Sequence, residues 1–428
     1  MTPQSEFLIL ARLAPDKVAD LRALLAGMNG KPGLADPNNP LVPFGDFPTL
    51  HVARFAVLDD QTLGDLAAFG AGFPDAPLYL AFVGDCDGDA ERLLDEMATR
   101  CAEGLRRIFG FCEDFGDGTD LRRWMAECSV AASASYVNTL GRTVVQAREE
   151  AVLHRVLAAQ LAEATAQGVT KPGALHARLR AQVLQHGPAL TPEAPTPLSW
   201  LLGHVGAFLL SALILLIAAP ILLLTCPVWL WVLRRHETSD PEVATPYDRA
   251  RRRAIAQAED HDVTNPFTAI GAIKPGLFRL AVVRSVLWLL NFGNTQVYKS
   301  GRLARVGTIH FARWVVIDQG RRVLFCSNYD GSLDSYMDDF INKAAFGLNL
   351  VFSNGAGYPT TKFLLLGGAQ REEQFKTFLR RRQQATDVWY KAYPGLSTYD
   401  LYRNAEIRKG LQTPGLSGDA LHRWLALI

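Results

Sequence analysis

No C-x-x-C and no paired metal-ligand spacing occurs among the six cysteines, Cys86, Cys101, Cys112, Cys128, Cys226 and Cys326. Scattered thiols of this kind read as reduced and mostly buried in a cytosolic setting, not as a disulfide framework or a zinc site. An excess of charge of one sign is missing too, since 44 Lys and Arg face 43 Asp and Glu. That balance leaves no basic footprint, and nucleic acid is not expected as a partner. The chain has no P-loop, no G-x-G-x-x-G of nucleotide type after a strand, no H-E-x-x-H and no G-x-S-x-G. Its first residues, MTPQSEFLIL, carry no cationic stretch before a short apolar run, so a secretory signal is not expected.

What the sequence does have is one long apolar run. Leu198 to Leu233 is 36 residues without an Asp, Glu, Lys or Arg. A helical span needs roughly 20 apolar residues, whereas 36 in one helix would reach about 54 Å, past a hydrocarbon core of about 30 Å. Pro220 and Pro227 offer a bend. Trp200, Trp229 and Trp231 lie towards the ends, where interfacial aromatics sit. The expectation is a membrane-inserted helical hairpin over 198–235 that enters and leaves by one face. A linker, 166–197, precedes it, and its GPALTPEAPTP stretch should be extended. A basic linker, 236–264, follows and contains Arg249, Arg251, Arg252 and Arg253. That cluster reads equally as a contact with anionic headgroups and as a solvated helix face. The resulting localisation is the cytoplasmic face of a membrane, the inner one in a bacterium.

Two stretches resemble each other. Residues 50–59 read LHVARFAVLD and residues 309–318 read IHFARWVVID. Phe7 and Pro15 have counterparts in Phe267 and Pro275, each 260 positions on, and His51 has His310 at 259. Asp87-Gly88 and Gly104-Leu105 recur as Asp330-Gly331 and Gly347-Leu348, at 243. Each copy reads strand, helix, strand, strand, helix, with a last strand near ASYVN or DVWYKAY. That order predicts an α+β protein: two tandem ferredoxin-like βαββαβ repeats, 1–165 and 265–428, forming a pseudo-twofold barrel. Both copies then lie on one side of the bilayer. The helix expected at 276–293 has only Arg279 and Arg284 among apolar residues, which suits a helix lying in the interface.

Strand alternation puts His51 and Arg54 on opposite faces, and likewise His310 and Arg313. Asp95 and Asp338, at matching helical positions, are candidate ion-pair partners for Arg54 and Arg313. Asp87 and Asp330 stand where a strand meets a helix, so helix capping explains them, with Ser332 nearby. Asn328 and Tyr329 beside Asp330 leave room for chemistry. Ser353–Pro359 reads as a turn, Arg380–Gln384 as a solvated helix face, and the C-terminal DALHRWLALI as a small amphipathic helix on lipid or on the body.

GDCDG at Gly84–Gly88 matches a G-x-x-D-G pattern, and SNYDG at Ser327–Gly331 departs from it by Ser327 for glycine. With the paired-unit architecture, this resembles the dimeric α+β barrel superfamily, whose haem-binding members include dye-decolourising peroxidases and chlorite dismutases. The resemblance implies haem as cofactor and Asp87 or Asp330 as the acid–base residue. It further implies Arg313 or Arg54 as its cationic helper and a histidine such as His310, with His51 its counterpart, as the iron ligand; Asn328, adjacent in the sequence to this set, is a catalytic candidate on its position alone. The function expected on that basis is a membrane-anchored oxidoreductase of haem-peroxidase type acting on a lipophilic substrate. The alternative is a non-catalytic membrane-tethered module that binds an apolar ligand or a protein partner. Membrane lipid is a partner in both, and association of two chains is left open.

Overall fold

The computed structural model describes residues 1–243, 248–259, 261–297 and 306–428. Positions 244–247 and 260 of the basic linker lie outside the described residues. The chain is mixed α+β, and among the described residues two large antiparallel sheets dominate. The strands are β1 (Gln4–Arg12), β2 (Leu50–Leu58), β3 (Tyr79–Asp87) and β4 (Ala134–Val137), then β5 (Thr264–Ala272), β6 (Ile309–Ile317), β7 (Arg322–Asp330) and β8 (Val388–Lys391). They correspond in pairs of equal length: β1 with β5, β2 with β6, β3 with β7, at the offsets read from the sequence. A further pair, β4 with β8, matches at 254.

The first sheet runs β1-β3-β2-β8 and the second β5-β7-β6-β4, with a two-residue strand, Gln383–Gln384, outside β5. The short last strands therefore do not close their own halves. β4 pairs with β6 of the second half (Ser135 opposite Arg313), and β8 pairs with β2 of the first (Trp389 opposite Arg54). This corrects the plain βαββαβ order, in which each unit supplies its own fourth strand. Period-two alternation sorts the side chains. Phe7 and Ile9 of β1 pack under helices, whereas Leu8 and Leu10 meet Ile270, Val315 and Leu324 of the other sheet. The two sheets thus face each other across a shared apolar layer.

Helix α1 (Val144–Ala166) follows β4. Its capping box uses Thr143 and Gln146, so the first turn's free N–H groups are satisfied locally. Helix α2 (Leu198–Ser239) is one continuous helix of 42 residues, not the hairpin expected. A reversal needs a loop with exposed backbone polar groups, and no Gly, Asn or Asp stands near Pro220 or Pro227 to form one. A proline removes one donor and bends a helix but does not turn it back. The most apolar 18-residue window of α2 has mean hydropathy 2.9, and none of it is buried.

Helix α3 (Leu277–Phe292) lies beside α2. The Phe208 and Phe292 rings are 6.0 Å apart, and those of His236 and Phe278 5.5 Å apart. Arg279 is not at a waterline: it is buried and ion-paired with Asp240, while Arg284 alone of the two is exposed. Helix α4 (Thr398–Gln412) follows β8 with a capping box of Ser397 and Asp400, 254 positions after that of α1. The C-terminal helix, Gly418–Leu425, docks on the body through Leu421 and Trp424 against Leu153, Leu157 and Ile407. Arg380–Gln384 is no solvated face. Arg381 and Arg382 share Asp65, Arg380 meets Asp334, and Gln383–Gln384 pairs with β5. All six cysteines are free thiols, four of them buried.

Candidate functional site

The residues singled out in the sequence converge between the two sheets. Arg54 and Arg313 stand on the facing sides of β2 and β6, and each reaches across to the opposite sheet. Arg313 donates to the carbonyls of Phe7 (2.7 Å) and Gly84 (3.2 Å) and to the Asp85 carboxylate, with Glu6 3.5 Å from its Nε. Arg54 donates to the carbonyls of Phe267 and Ser327, both 2.9 Å away, to Thr268 Oγ1 at 3.0 Å and to Asn328 Oδ1. Phe7 and Phe267, Gly84 and Ser327, Asp85 and Asn328 are matched positions, so the two arginines repeat one arrangement.

One matched position breaks the equivalence. Arg313 meets a carboxylate where Arg54 meets an amide. Arg54 is accordingly pushed down to about 10 by burial, with the Trp389 ring 5.2 Å from its guanidinium. Burial raises Glu6 to about 7, in spite of the Arg313 charge. The partners expected from the sequence are corrected here. Asp338 pairs with Lys376, and the Asp95 backbone carbonyl accepts from Arg122.

The histidines sit where β2 and β6 bulge, between Leu50 and Val52 and between Ile309 and Phe311. His51 Nε2 donates to Asp87 at 2.9 Å, and its Nδ1 accepts from the Tyr393 hydroxyl at 3.0 Å. His310 Nε2 donates to Asp330 at 2.7 Å, with Thr264 Oγ1 3.1 Å away. The second oxygen of each aspartate caps a distant helix. Asp87 accepts from the Val144 N–H at the start of α1, and Asp330 from the Thr398 N–H at the start of α4. The helices that directly follow β3 and β7 are capped instead by Asp89 and Ser332, which corrects the local reading of Asp87 and Asp330. Each His–Asp pair therefore ties the end of two strands to a helix that leaves the opposite sheet.

Burial lowers His310 and would raise Asp330, but the imidazole, the Thr264 hydroxyl and the Thr398 N–H hold that carboxylate at about 2. Lys391 completes the second site, donating to Thr264 Oγ1 and to the Leu396 carbonyl. Burial pulls it from 10.5 to about 8. Between these values the unfolded chain alone holds the proton, so folding stability rises with pH across that window and is flat below it. The rise should be on the order of 3 kcal/mol. Denaturant titrations of the native chain at about pH 7.5 and about pH 10 should show it, and Lys391→Met should abolish it.

The residues do not fit a haem. His51 and His310 are 1% and 3% exposed, and the Nε2 of each is engaged by a carboxylate. The space between the sheets is filled by the shared apolar layer. A cavity of about 40 Å³ lies on the other face of the second sheet, under Phe352 and Phe378. Clefts of about 350, 440 and 590 Å³ are lined by other residues and do not reach the histidines. Among the described residues no three His, Cys, Asp or Glu side chains converge on a metal position. What the arrangement can do is hold charge: two guanidinium groups and two His–Asp pairs lock the sheets together with directional bonds.

Sequence reading found both arginines, both histidines, both aspartates and Asn328, and the structure brings all seven to this interface. It missed Asp85, Glu6, Thr264, Lys391 and Tyr393. The signal for Asp85 was present, since GDCDG and SNYDG align acid against amide. Lys391 and Tyr393 come from the crossed-over strand, whose partner the sequence does not indicate. Comparison of the chain with protein-family models, curated proteins and solved structures finds no match.

Proposed function

We propose that the protein is a membrane-tethered module whose body is held against the cytoplasmic lipid surface and works by binding there, not by haem chemistry. In this reading the body is a tandem pair of ferredoxin-like units related by a pseudo-twofold axis, which have exchanged their fourth strands. The matched offsets and the reciprocal arginines support the duplication. Helix α2 is the membrane contact, lying within one leaflet because the interlocked sheets keep both of its ends on one side, and it carries the proposal: the most apolar 18 residues have no buried share and need a solvent other than water. Both ends return to the body: Thr191, seven residues before α2, is bound by Glu149 and Arg408, and Glu237 in its last turn holds the turn at 361–364.

The acid–base and ligand residues of the peroxidase resemblance are all occupied in joining the sheets, which favours the binding module over the oxidoreductase. The test is flotation of the full chain with phosphatidylcholine–phosphatidylglycerol vesicles, followed by alkaline carbonate extraction. We expect the protein to float and to resist extraction. A protein that stays monodisperse in buffer without detergent would remove the membrane reading. A Soret band on the solubilised protein, with turnover lost in His310→Ala, would restore the oxidoreductase.

A further inference from the structure

We propose that the hairpin tip Phe363–Leu366 is a second lipid contact, a wedge entering the same leaflet beside the end of α2. The inference rests on the membrane reading of α2. The hairpin pairs Thr361–Lys362 with Leu366–Gly367, and its turn points apolar side chains outward. Phe363 is 39% exposed, Leu365 46% and Leu366 54%, a cluster that a water-facing turn would fill with polar residues. The backbone there is unusual. Phe363 and Leu364 are held at φ 55° and 58°, a left-handed conformation that large side chains avoid.

The restraint that holds them comes from α2 itself. Glu237 accepts from the Phe363 N–H (2.8 Å), the Leu364 N–H (2.9 Å) and the Thr361 hydroxyl (2.8 Å). Its carboxylate is buried and also pairs with Arg234 at 2.9 Å. Glu237 lies one helical turn beyond Leu233, the last residue of the charge-free run, so the tip is fixed where the apolar helix meets its first charges. The Phe363 ring lies 5.7 Å from the Arg234 guanidinium, and the exposed Trp231 ring lies 5.6 Å from that of Arg235. Both aromatic–arginine contacts are of the kind found at a headgroup layer, with the ring on the acyl side and the cation towards phosphate. The hairpin's apolar tip and the apolar end of α2 thereby form one surface, and a bilayer leaflet is the occupant that fits both. Burial of these side chains in lipid would offset the cost of the left-handed backbone.

The test uses the full chain in phosphatidylcholine–phosphatidylglycerol vesicles, in a Cys128→Ala, Cys226→Ala background. A nitroxide is attached at Leu365→Cys, with Leu366→Cys as a second tip position, Leu216→Cys in α2 and Leu184→Cys at an exposed position of the helix Pro172–His186. Collision with oxygen, which concentrates in lipid, is compared with collision with a water-soluble nickel chelate. We expect both tip positions to resemble Leu216→Cys, with the oxygen-to-nickel ratio several-fold above that of Leu184→Cys. Tip labels that behave like Leu184→Cys while Leu216→Cys reports lipid would overturn the wedge alone. If Leu216→Cys also reports water, the membrane reading falls and the wedge with it.

Discussion

Asp85→Ala should cost the fold about 3–5 kcal/mol, because it leaves the Arg313 guanidinium buried beside an empty position. Arg313 is 2% exposed and cannot discharge. Its remaining strong partners are the Phe7 and Gly84 carbonyls, with Glu6 at 3.5 Å. Glu6, raised to about 7, supplies only part of a charge near neutrality. The matched change, Asn328→Ala, should cost about 1–3 kcal/mol, since Arg54 keeps two carbonyls and the Thr268 hydroxyl. Asp85→Asn copies the chemistry of position 328 and should fall between the two. Equilibrium denaturation of the three variants in one detergent checks the order. Equal, small losses for Asp85→Ala and Asn328→Ala would show that the ion pair does not hold the sheets.

Asp240→Ala should be of similar size, again about 3–5 kcal/mol, for a different reason. One carboxylate, 7% exposed, neutralises two buried cations there: Lys274 Nζ at 2.9 Å and the Arg279 guanidinium. Lys274 has an escape, because burial already lowers it and it can shed its proton. Arg279 has none. The loss should therefore be partly recovered in Asp240→Ala, Arg279→Leu, where an apolar side chain replaces the stranded charge. Thermal unfolding followed by circular dichroism reads both variants. A double variant no more stable than the single one would mean that Arg279 finds another partner.

Much of the frame was legible because β-strand alternation and spacing are local properties. The offsets of 260, 259 and 243 place β5, β6 and β7 at the register the structure shows, and the apolar run at 198–233 marks α2. Two things were not legible. The partner of a four-residue strand is not written in its own side chains, so Ala134–Val137 and Val388–Lys391 could be recognised as strands but not assigned to the opposite sheet. The geometry of the apolar run is the other: its length, its two prolines and the placing of both halves on one side all favour a return, whereas no Gly, Asn or Asp accompanies Pro220 or Pro227 to turn the chain. At the site, residue types suggested chemistry. Only three-dimensional pairing shows that His310, Asp330 and Arg313 are consumed by bonds between elements.

The crossed strands also dictate a schedule for biosynthesis. The outer edge of Leu50–Leu58 waits for Val388–Lys391, more than 300 residues behind it on the ribosome, and by then Leu198–Ser239 has long since emerged. A nascent first half thus carries an unfinished sheet with a reactive margin until Val388–Lys391 has been made, so maturation should be slow and dependent on holdase chaperones. The same interlock has a benefit once assembly is finished. A protease that severs the peptide between the halves would release neither, because each has woven a strand into the other.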